Sequence, residues 1–205
     1  MKNKLIFIFL LFLNNKIFAE NLLIEAKNIT LDKDNVTSVF KDDVVVKTES
    51  KTIKSDYVEY NKKSGFLIIK NNILARDKKD NIIESQYAEY FEKEKVFKSV
   101  GLTKITTSEK YVIEGEDITF NNKRGVIFSK KKGILKDLEG NKILIKNFEY
   151  EIDKNIFKSI GFVKIDDKNG NTYEFSQIYI DTKKNEILGT DIKAFLNQEN
   201  LKISK

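Results

Sequence analysis

Residues 53–67 read IKSDYVEYNKKSGFL, and this stretch combines a strand signal with a turn signal. Val58-Glu-Tyr60 alternates apolar and polar side chains with a period of two, which is typical of a half-buried strand. Asn61-Lys-Lys-Ser-Gly65 follows it and contains the Asn and Gly that hairpin loops prefer. The stretch therefore predicts two antiparallel strands that meet at a turn over residues 61–65.

The same pattern returns every thirty residues along the chain. Five columns of apolar residues share this spacing: Ile53, Ile83, Ile113, Ile143 and Tyr173; Val58, Ala88, Ile118, Phe148 and Ile178; Tyr60, Tyr90, Phe120, Tyr150 and Ile180; Leu67, Phe97, Ile127, Phe157 and Ile187; Ala75, Ile105, Leu135, Ile165 and Phe195. With 40% apolar residues, a column of five is wholly apolar by chance only about 1% of the time. The columns therefore indicate an internal repeat, and a shorter first copy begins with Ile24, Ile29 and Leu31.

Turn residues repeat at two positions within each copy. The first position holds residues that tolerate a positive φ: Gly65, Gly125, Asn155 and Asn185. Lys95 is the exception at this position. At the second position stand Asp80-Asn81, Gly140-Asn141 and Gly170-Asn171. Two turns per copy leave two strands per copy, so the sequence predicts an all-β fold of about twelve antiparallel strands.

The period-two alternation of apolar residues is interrupted at the same position of each copy. Ile53 and Val58 are an odd number of residues apart, so in a flat strand they would face opposite sides of the sheet. A bulge or bend between them puts both on one face. Asn71, Gly101 and Gly161 occupy similar mid-strand positions. The sequence thus predicts long strands that bend in the middle, forming an unclosed sheet folded over on itself, with the columns lining a shared interior.

The first nineteen residues have the features of a secretory signal peptide. Lys2 and Lys4 precede the apolar run LIFIFLLFL at residues 5–13, and Ala19 provides a small residue for cleavage. As a helix this run reaches only about 14 Å, whereas a hydrocarbon core is about 30 Å thick. We therefore expect a signal peptide at 1–19, one domain at 20–205, and export to a bacterial periplasm. Export makes nucleic acid an unexpected partner.

The composition argues against catalysis. The chain has no His and no Cys, which removes the commonest general base and thiolate chemistry. The acidic pairs Asp42-Asp43 and Asp166-Asp167, and the group Glu114-Gly-Glu116-Asp117, lie in or near predicted turns among many lysines. We interpret them as solvated surface, and we expect neither catalytic residues nor a metal or other cofactor.

The phrases Ile83-Glu-Ser-Gln-Tyr-Ala-Glu-Tyr90, Phe97-Lys-Ser-Val-Gly-Leu102 and Phe157-Lys-Ser-Ile-Gly-Phe162 resemble the organic-solvent-tolerance (OstA-like) β-jellyroll domain. The resemblance spans Leu22 to about Leu196. It implies an open, twisted jellyroll whose units join end to end through edge strands in the periplasmic bridge of lipopolysaccharide transport, directed towards the outer membrane. It also implies that lipid A acyl chains lie in the apolar interior and that an ATPase elsewhere supplies the energy.

The resemblance makes the apolar columns candidate lipid-binding residues. The expected interior lining is Ile53, Val58, Tyr60, Leu67, Ile83, Tyr90, Phe97, Ile105, Ile113, Ile118, Phe120, Ile127, Leu135, Phe148, Tyr150, Phe157, Ile165 and Ile178. The repeat pattern by itself favours an ordinary packed core, as in a structural or adhesive β-repeat protein with a dry core and no lipid ligand.

Two members of the resembled family fit the pattern. One is the free-standing bridge protein, and the other is the periplasmic N-terminal domain of the outer-membrane assembly protein. Because no barrel-type strands follow Ile203-Ser-Lys205 in the sequence, the first is the expectation. We also expect residues 197–205 to be polar enough to cover the last strand.

Overall fold

The computed structural model describes residues 22–33 and 36–197, so the expected signal peptide and residues 198–205 lie outside the described part. Every regular element in that part is a β-strand. The strands are β1 (Leu23–Glu25), β2 (Asn28–Leu31), β3 (Thr37–Lys47), β4 (Lys51–Asn61), β5 (Phe66–Asp77), β6 (Ile82–Phe91), β7 (Val96–Ser99), β8 (Leu102–Thr106), β9 (Val112–Glu116), β10 (Thr119–Asn121), β11 (Val126–Ser129), β12 (Gly133–Lys136), β13 (Lys142–Ile145), β14 (Phe148–Glu151), β15 (Ile156–Asp166), β16 (Thr172–Asp181), β17 (Glu186–Thr190) and β18 (Lys193–Phe195).

These eighteen strands form one continuous antiparallel meander. Six long strands, β3 to β6, β15 and β16, are unbroken; the others are each divided into two short strands near the middle. Each long strand pairs with the next along the chain, from β1 and β2 on β3 to β17 and β18 on β16. Twelve long antiparallel strands were predicted, and the structure confirms them. Within the described residues no pairing joins the first long strand to the last, so the sheet is open.

The predicted bends are present in the middle of the strands. The β4–β5 register shifts between Lys54 and Tyr57, which puts Ile53 and Val58 on the same face. Asn71, Gly101 and Gly161 have φ values of 64°, 78° and 102°, a region in which glycine and asparagine are favoured. The bends fold the sheet into two layers that face each other.

We name the two layers by their position relative to the bends. The upper layer holds β2, β7, β10, β11, β14 and β17 with residues 37–41, 57–61, 66–70, 87–91, 156–160 and 177–181. The lower layer holds β1, β8, β9, β12, β13 and β18 with residues 44–47, 51–55, 73–77, 82–85, 163–166 and 172–175. The bends lie along one side of the molecule, and the two rows of turns lie along the other.

Buried hydroxyl groups satisfy backbone atoms at the bends. Ser99 Oγ donates to the Ile118 carbonyl at 3.3 Å and accepts from the Ile118 amide at 3.1 Å. Ser159 Oγ donates to the Asn147 carbonyl at 2.6 Å. Both serines belong to the repeated phrases Phe-Lys-Ser, in which Phe97 and Phe157 point inward. A buried backbone group without a partner costs free energy, so the serines make the bend compatible with a folded core.

The apolar columns form one hydrophobic core between the layers, except at the last strands. Ile187 and Phe195 were expected in the interior, but they are 44% and 55% exposed. They lie on β17 and β18, which have no following strand in the described residues to cover them. Ile29 and Leu31 of the first copy are exposed on β2 for the corresponding reason. The expectation for Ile187 and Phe195 was therefore wrong. The repeat pattern assumes that another strand follows and covers these side chains, and an edge strand has no such neighbour.

Three turns of the lower layer share an asparagine ladder. In each, the Asn amide group donates to an Asp four residues earlier: Asn81 to Asp77, Asn141 to Asp137 and Asn171 to Asp167, at 2.6–2.8 Å. The Asn Oδ1 then accepts from a backbone amide of the segment that follows it on the same side: Ser108, Lys168 and Asn197, at 2.9–3.0 Å. The ladder fixes the spacing between neighbouring turns.

We expect Asn141→Ala to lower the free energy of unfolding by about 1–3 kcal/mol, because the Lys168 amide and the Asp137 carboxylate lose partners. Urea unfolding of the variant and the parent protein measures the change. Lys63→Ala, at an exposed position of an upper turn, is the control and should stay within about 0.5 kcal/mol of the parent. Equal stabilities of all three proteins would show that the ladder does not stabilise the fold.

Candidate functional site

The interior between the layers contains nearly all of the residues expected to line it. Seventeen of the eighteen are at most 6% exposed, and Tyr60 is half-buried and packs against the others. They come from both layers, so the column residues of one layer face those of the other. The structure thus brings the predicted residues together, and their role in binding lipid stays a prediction.

Two aromatic side chains of neighbouring strands pack against each other within this interior. The rings of Phe148 and Phe157 stack with centroids 5.7 Å apart and planes 14° from parallel. Both belong to the upper layer. Stacked and offset rings add about 0.5–1.5 kcal/mol to the apolar area that they bury. The stacked pair therefore contributes more to the apolar core than its buried area alone.

One positive charge is enclosed with these apolar groups. Lys51 is 4% exposed, and its Nζ lies 3.9 Å from the ring centroid of Phe120. The rings of Tyr90 and Phe97 lie 5.7 and 5.5 Å from the same Nζ. An ammonium group over aromatic faces is attracted by the ring quadrupoles. Sequence reasoning missed this position because lysines are mostly exposed and Lys51 sits among many others.

The two rows of turns touch along the side opposite the bends, and we call this line of contact the mouth. Asn122 Nδ2 donates to Ser50 Oγ at 2.7 Å, and Lys79 Nζ donates to Asp153 Oδ1 at 2.6 Å. Further along, the Tyr150 hydroxyl donates to Glu109 at 3.0 Å and the Tyr111 hydroxyl donates to Asn185 at 2.6 Å. Three of these bonds join a lower turn to the upper turn that comes five turns later in the chain, and the Tyr150–Glu109 bond joins a lower turn to the end of β14.

The mouth is closed in this conformation. A pocket of about 160 Å³ remains there, lined by Ser50, Lys79, Phe120, Asn122 and Ile152 among others. This volume lies below the range of about 300–1,000 Å³ that holds a drug-sized ligand. An acyl chain would reach the interior side chains only after the layers separate. The contacts at the mouth are polar and partly exposed, so each of them contributes little to stability.

No pattern in the sequence predicts these bonds across the mouth. Ser50 and Asn122 are 72 residues apart, and so the pairing depends on how far the sheet twists from one repeat to the next. Tyr111 and Asn185 are 74 residues apart and pair for the same reason. A thirty-residue column identifies equivalent positions, but it does not show which turn of the upper layer faces which turn of the lower layer.

Burial raises the pKa of two tyrosines near the mouth. The Tyr60 hydroxyl donates to Glu92 Oε2 at 3.0 Å. Burial, and to a smaller extent the Glu92 carboxylate, raises the pKa of Tyr60 to about 12. Burial also raises the pKa of Tyr150, whose hydroxyl lies beside Glu109. In both cases the folded state favours the protonated phenol, because the phenolate would be desolvated and close to a carboxylate.

The Tyr60 shift predicts a loss of stability at high pH. An unfolded tyrosine releases its proton near pH 10, whereas folded Tyr60 keeps its proton until about pH 12. Its contribution is therefore complete below pH 10 and is lost as the pH rises from 10 to 12. We expect Tyr60→Phe to reduce the slope of unfolding free energy against pH in this window. Urea unfolding of both proteins at several pH values from 9 to 12 measures the two slopes. Deprotonation of lysines affects both proteins alike, so identical slopes would contradict the assignment to Tyr60.

The acidic groups are used in surface ion pairs. Asp117 lies 2.6 Å from Lys131 Nζ, and Asp166 lies 2.8 Å from Lys164 Nζ. Asp43 pairs with Lys27. Within residues 22–33 and 36–197, no group of three or more Asp and Glu side chains could hold a metal ion. The same part of the chain has no helix with the length and hydropathy that a membrane span requires.

No protein-family model and no curated protein sequence matches the chain. Among solved structures it is similar to LptH of Pseudomonas aeruginosa, the LptA homologous periplasmic component of the conserved lipopolysaccharide transport device. The two share 16% identity over 87% of this chain and 96% of LptH, with a TM-score of 0.27. It is also similar to the TCP10 domain of Danio rerio CPAP, with 10% identity over 86% of this chain and 100% of that domain and a TM-score of 0.21. At these TM-scores neither structure carries an argument about what this chain binds.

Proposed function

We propose that the protein is a periplasmic component of lipopolysaccharide transport that shields lipid A acyl chains between its two layers. In this function the interior residues contact the acyl chains, and the sugars of the lipopolysaccharide stay in water. Similar jellyroll units join the two edges of the sheet, so that lipopolysaccharide passes from unit to unit towards the outer membrane. The resemblance of the repeated phrases to the OstA-like domain supports the choice of ligand.

The observation that carries the proposal is the continuity of the apolar interior from one open edge to the other. Column residues from Ile53 in the third long strand to Ile178 in the eleventh share one core. Lys51 adds a cation at the mouth end of that core, which has the sign that lipid A phosphates require. A sheet that bends back on itself without closing can widen at the mouth while its backbone pairing stays intact.

The exposed edges support the assignment of partners. At the last long strand, Ile187, Leu188 and Phe195 are 44%, 71% and 55% exposed. At the first long strand, Leu23 and Leu31 are 49% and 56% exposed. Unpaired strands with apolar side chains are templates for strand addition, since a neighbouring strand satisfies the backbone and covers the side chains.

A structural or adhesive β-repeat protein with a dry core is the second candidate. The side chains of the interior are packed to near-complete burial, and the mouth is bridged by hydrogen bonds. A protein that binds no lipid needs only this closed form. The two functions therefore differ in whether the layers separate for an acyl chain.

Lipopolysaccharide binding by the purified protein tests the proposal. We expect intact lipopolysaccharide to co-elute with the protein in size-exclusion chromatography, and deacylated lipopolysaccharide to elute separately, because the interior recognises acyl chains. The deacylated sample is the matched control for sugar and phosphate contacts. Separate elution of both samples would favour the dry-core protein, and equal co-elution of both would show that sugars or phosphates, not the interior, bind the ligand.

The edge partners are tested by a charged residue on the last strand. Phe195→Lys places an ammonium group where a docked strand would bury it, at a cost of about 1–3 kcal/mol. We expect the variant to associate about tenfold more weakly with itself or with a similar unit in sedimentation experiments. Leu138→Lys, which makes a similar change at a 56% exposed turn residue away from both edges of the sheet, is the control. Unchanged association of Phe195→Lys would exclude this edge as the joining surface.

A further inference from the structure

The outer surface of the lower layer carries an apolar pocket that the interior does not use. It has a volume of about 550 Å³, within the range of about 300–1,000 Å³ for small-molecule sites. Leu102, Ile134, Leu144 and Phe162 form its apolar wall, beside the bends. Leu102 and Phe162 are 78% and 45% exposed, so large apolar side chains face water here. Such a concentration of exposed apolar groups is typical of a ligand or partner site.

The wall is built by strand pairing within the lower layer. Ile134 and Leu144 are direct cross-strand partners on β12 and β13, and both point away from the interior. Leu102 and Phe162 begin the strand halves that follow the positive-φ residues Gly101 and Gly161. The bends therefore turn two repeated apolar residues outward, one on each side of the pair.

The charges around the pocket favour an anionic ligand. Glu114 and Glu116 also line it. Glu114 is paired with Lys136 at 2.9 Å, and Glu116 shares Lys131 with Asp117, at 3.4 and 2.6 Å. With Lys132 and Lys146, four ammonium groups therefore surround three carboxylates. Lys132 and Lys146 line the same pocket and have no ion pair within the described part of the chain. An apolar wall with two uncommitted ammonium groups matches a molecule that has an apolar chain and a negative end.

We propose that this outer pocket binds a single acyl chain with an anionic headgroup, the chain lying on Leu102, Leu144 and Phe162 and the headgroup beside Lys132 and Lys146. The pocket and the interior lie on opposite faces of the lower layer. Binding at the outer pocket is therefore independent of acyl binding between the layers, and each is tested without the other.

Calorimetric titration with monomeric dodecyl phosphate and dodecanoate tests the proposal. We expect both anions to bind at least about tenfold more tightly than dodecyltrimethylammonium, which has the same chain and the opposite charge. Butyl phosphate, with the headgroup and a short chain, should bind more weakly by a similar factor. The tighter of the two dodecyl anions shows whether a phosphate or a carboxylate is the preferred headgroup.

Two double variants test whether the probes bind in the outer pocket. Leu102→Ser with Phe162→Ser removes exposed apolar area, and Lys132→Glu with Lys146→Glu reverses the charge; neither changes a buried residue. We expect each to weaken dodecyl phosphate binding at least about tenfold. Leu138→Ser with Lys130→Glu, also exposed but outside the pocket, should bind like the parent protein.

Three results would overturn the proposal. They are equal binding of the anionic and cationic dodecyl probes, full binding by both pocket variants, and binding to anionic phospholipid vesicles without binding to monomeric probes. The last result would assign the patch to a membrane surface. Lipopolysaccharide co-elution with the pocket variants reports on the interior alone, so a failure of one site does not imply a failure of the other.

Discussion

Replacing Phe157 with alanine should lower the free energy of unfolding by about 3–5 kcal/mol. The ring is 1% exposed and stacks on Phe148 in the interior, so its removal leaves a cavity in a closely packed core. Urea unfolding followed by far-ultraviolet circular dichroism measures the loss.

Phe162→Ala is the matched control for this substitution. Phe162 occupies the same strand, β15, but its ring is 45% exposed on the outer surface. We expect a loss below about 1 kcal/mol. Equal losses for Phe157 and Phe162 would mean that the closed, packed interior does not exist in solution.

A covalent bridge across the mouth should prevent lipid loading. The chain has no cysteine, so Ser50→Cys and Asn122→Cys introduce the only two thiols. The side chains that they replace are hydrogen-bonded across the mouth at 2.7 Å. We expect a short bis-methanethiosulfonate, which joins the two thiols through reducible disulfides and releases sulfinate, to lower lipopolysaccharide loading at least about tenfold, because the layers cannot separate. Radiolabelled lipopolysaccharide retained by the protein is the readout.

Reduction of the bridge is the control within the same protein, and loading should return to that of the untreated double variant. The single variant Ser50→Cys, treated with the same reagent, controls for modification without bridging. Equal loading of bridged and reduced protein would show that lipopolysaccharide does not load through the mouth.

Much of the fold could be predicted from the sequence because the repeat is visible in single residues. The columns of Ile53 and Val58 identified the core, and their odd spacing identified the bend that the register shift shows. Gly101 and Gly161 marked the same bend in later copies. Lys95 has a φ of 56° without the Gly or Asn that would indicate it, because the surrounding turn imposes the conformation.

The features that could not be predicted depend on contacts between repeats. Asn141 and Asn171 were identified as turn residues, but their second bonds, to Lys168 and Asn197, require the distance between adjacent turns. The burial of Lys51 requires knowledge of which rings face it. The bonds of the mouth depend on sheet twist, for which a thirty-residue spacing provides no measure.

Photocrosslinking from the interior tests the central claim most directly. A photoreactive phenylalanine analogue at Phe157 faces the interior, whereas the same analogue at Tyr179 lies on the outer face of the upper layer, between the buried Ile178 and Ile180. We expect a crosslink to lipopolysaccharide at position 157 and none at position 179. A crosslink at position 179 without one at position 157, or at neither position, would contradict acyl binding between the layers.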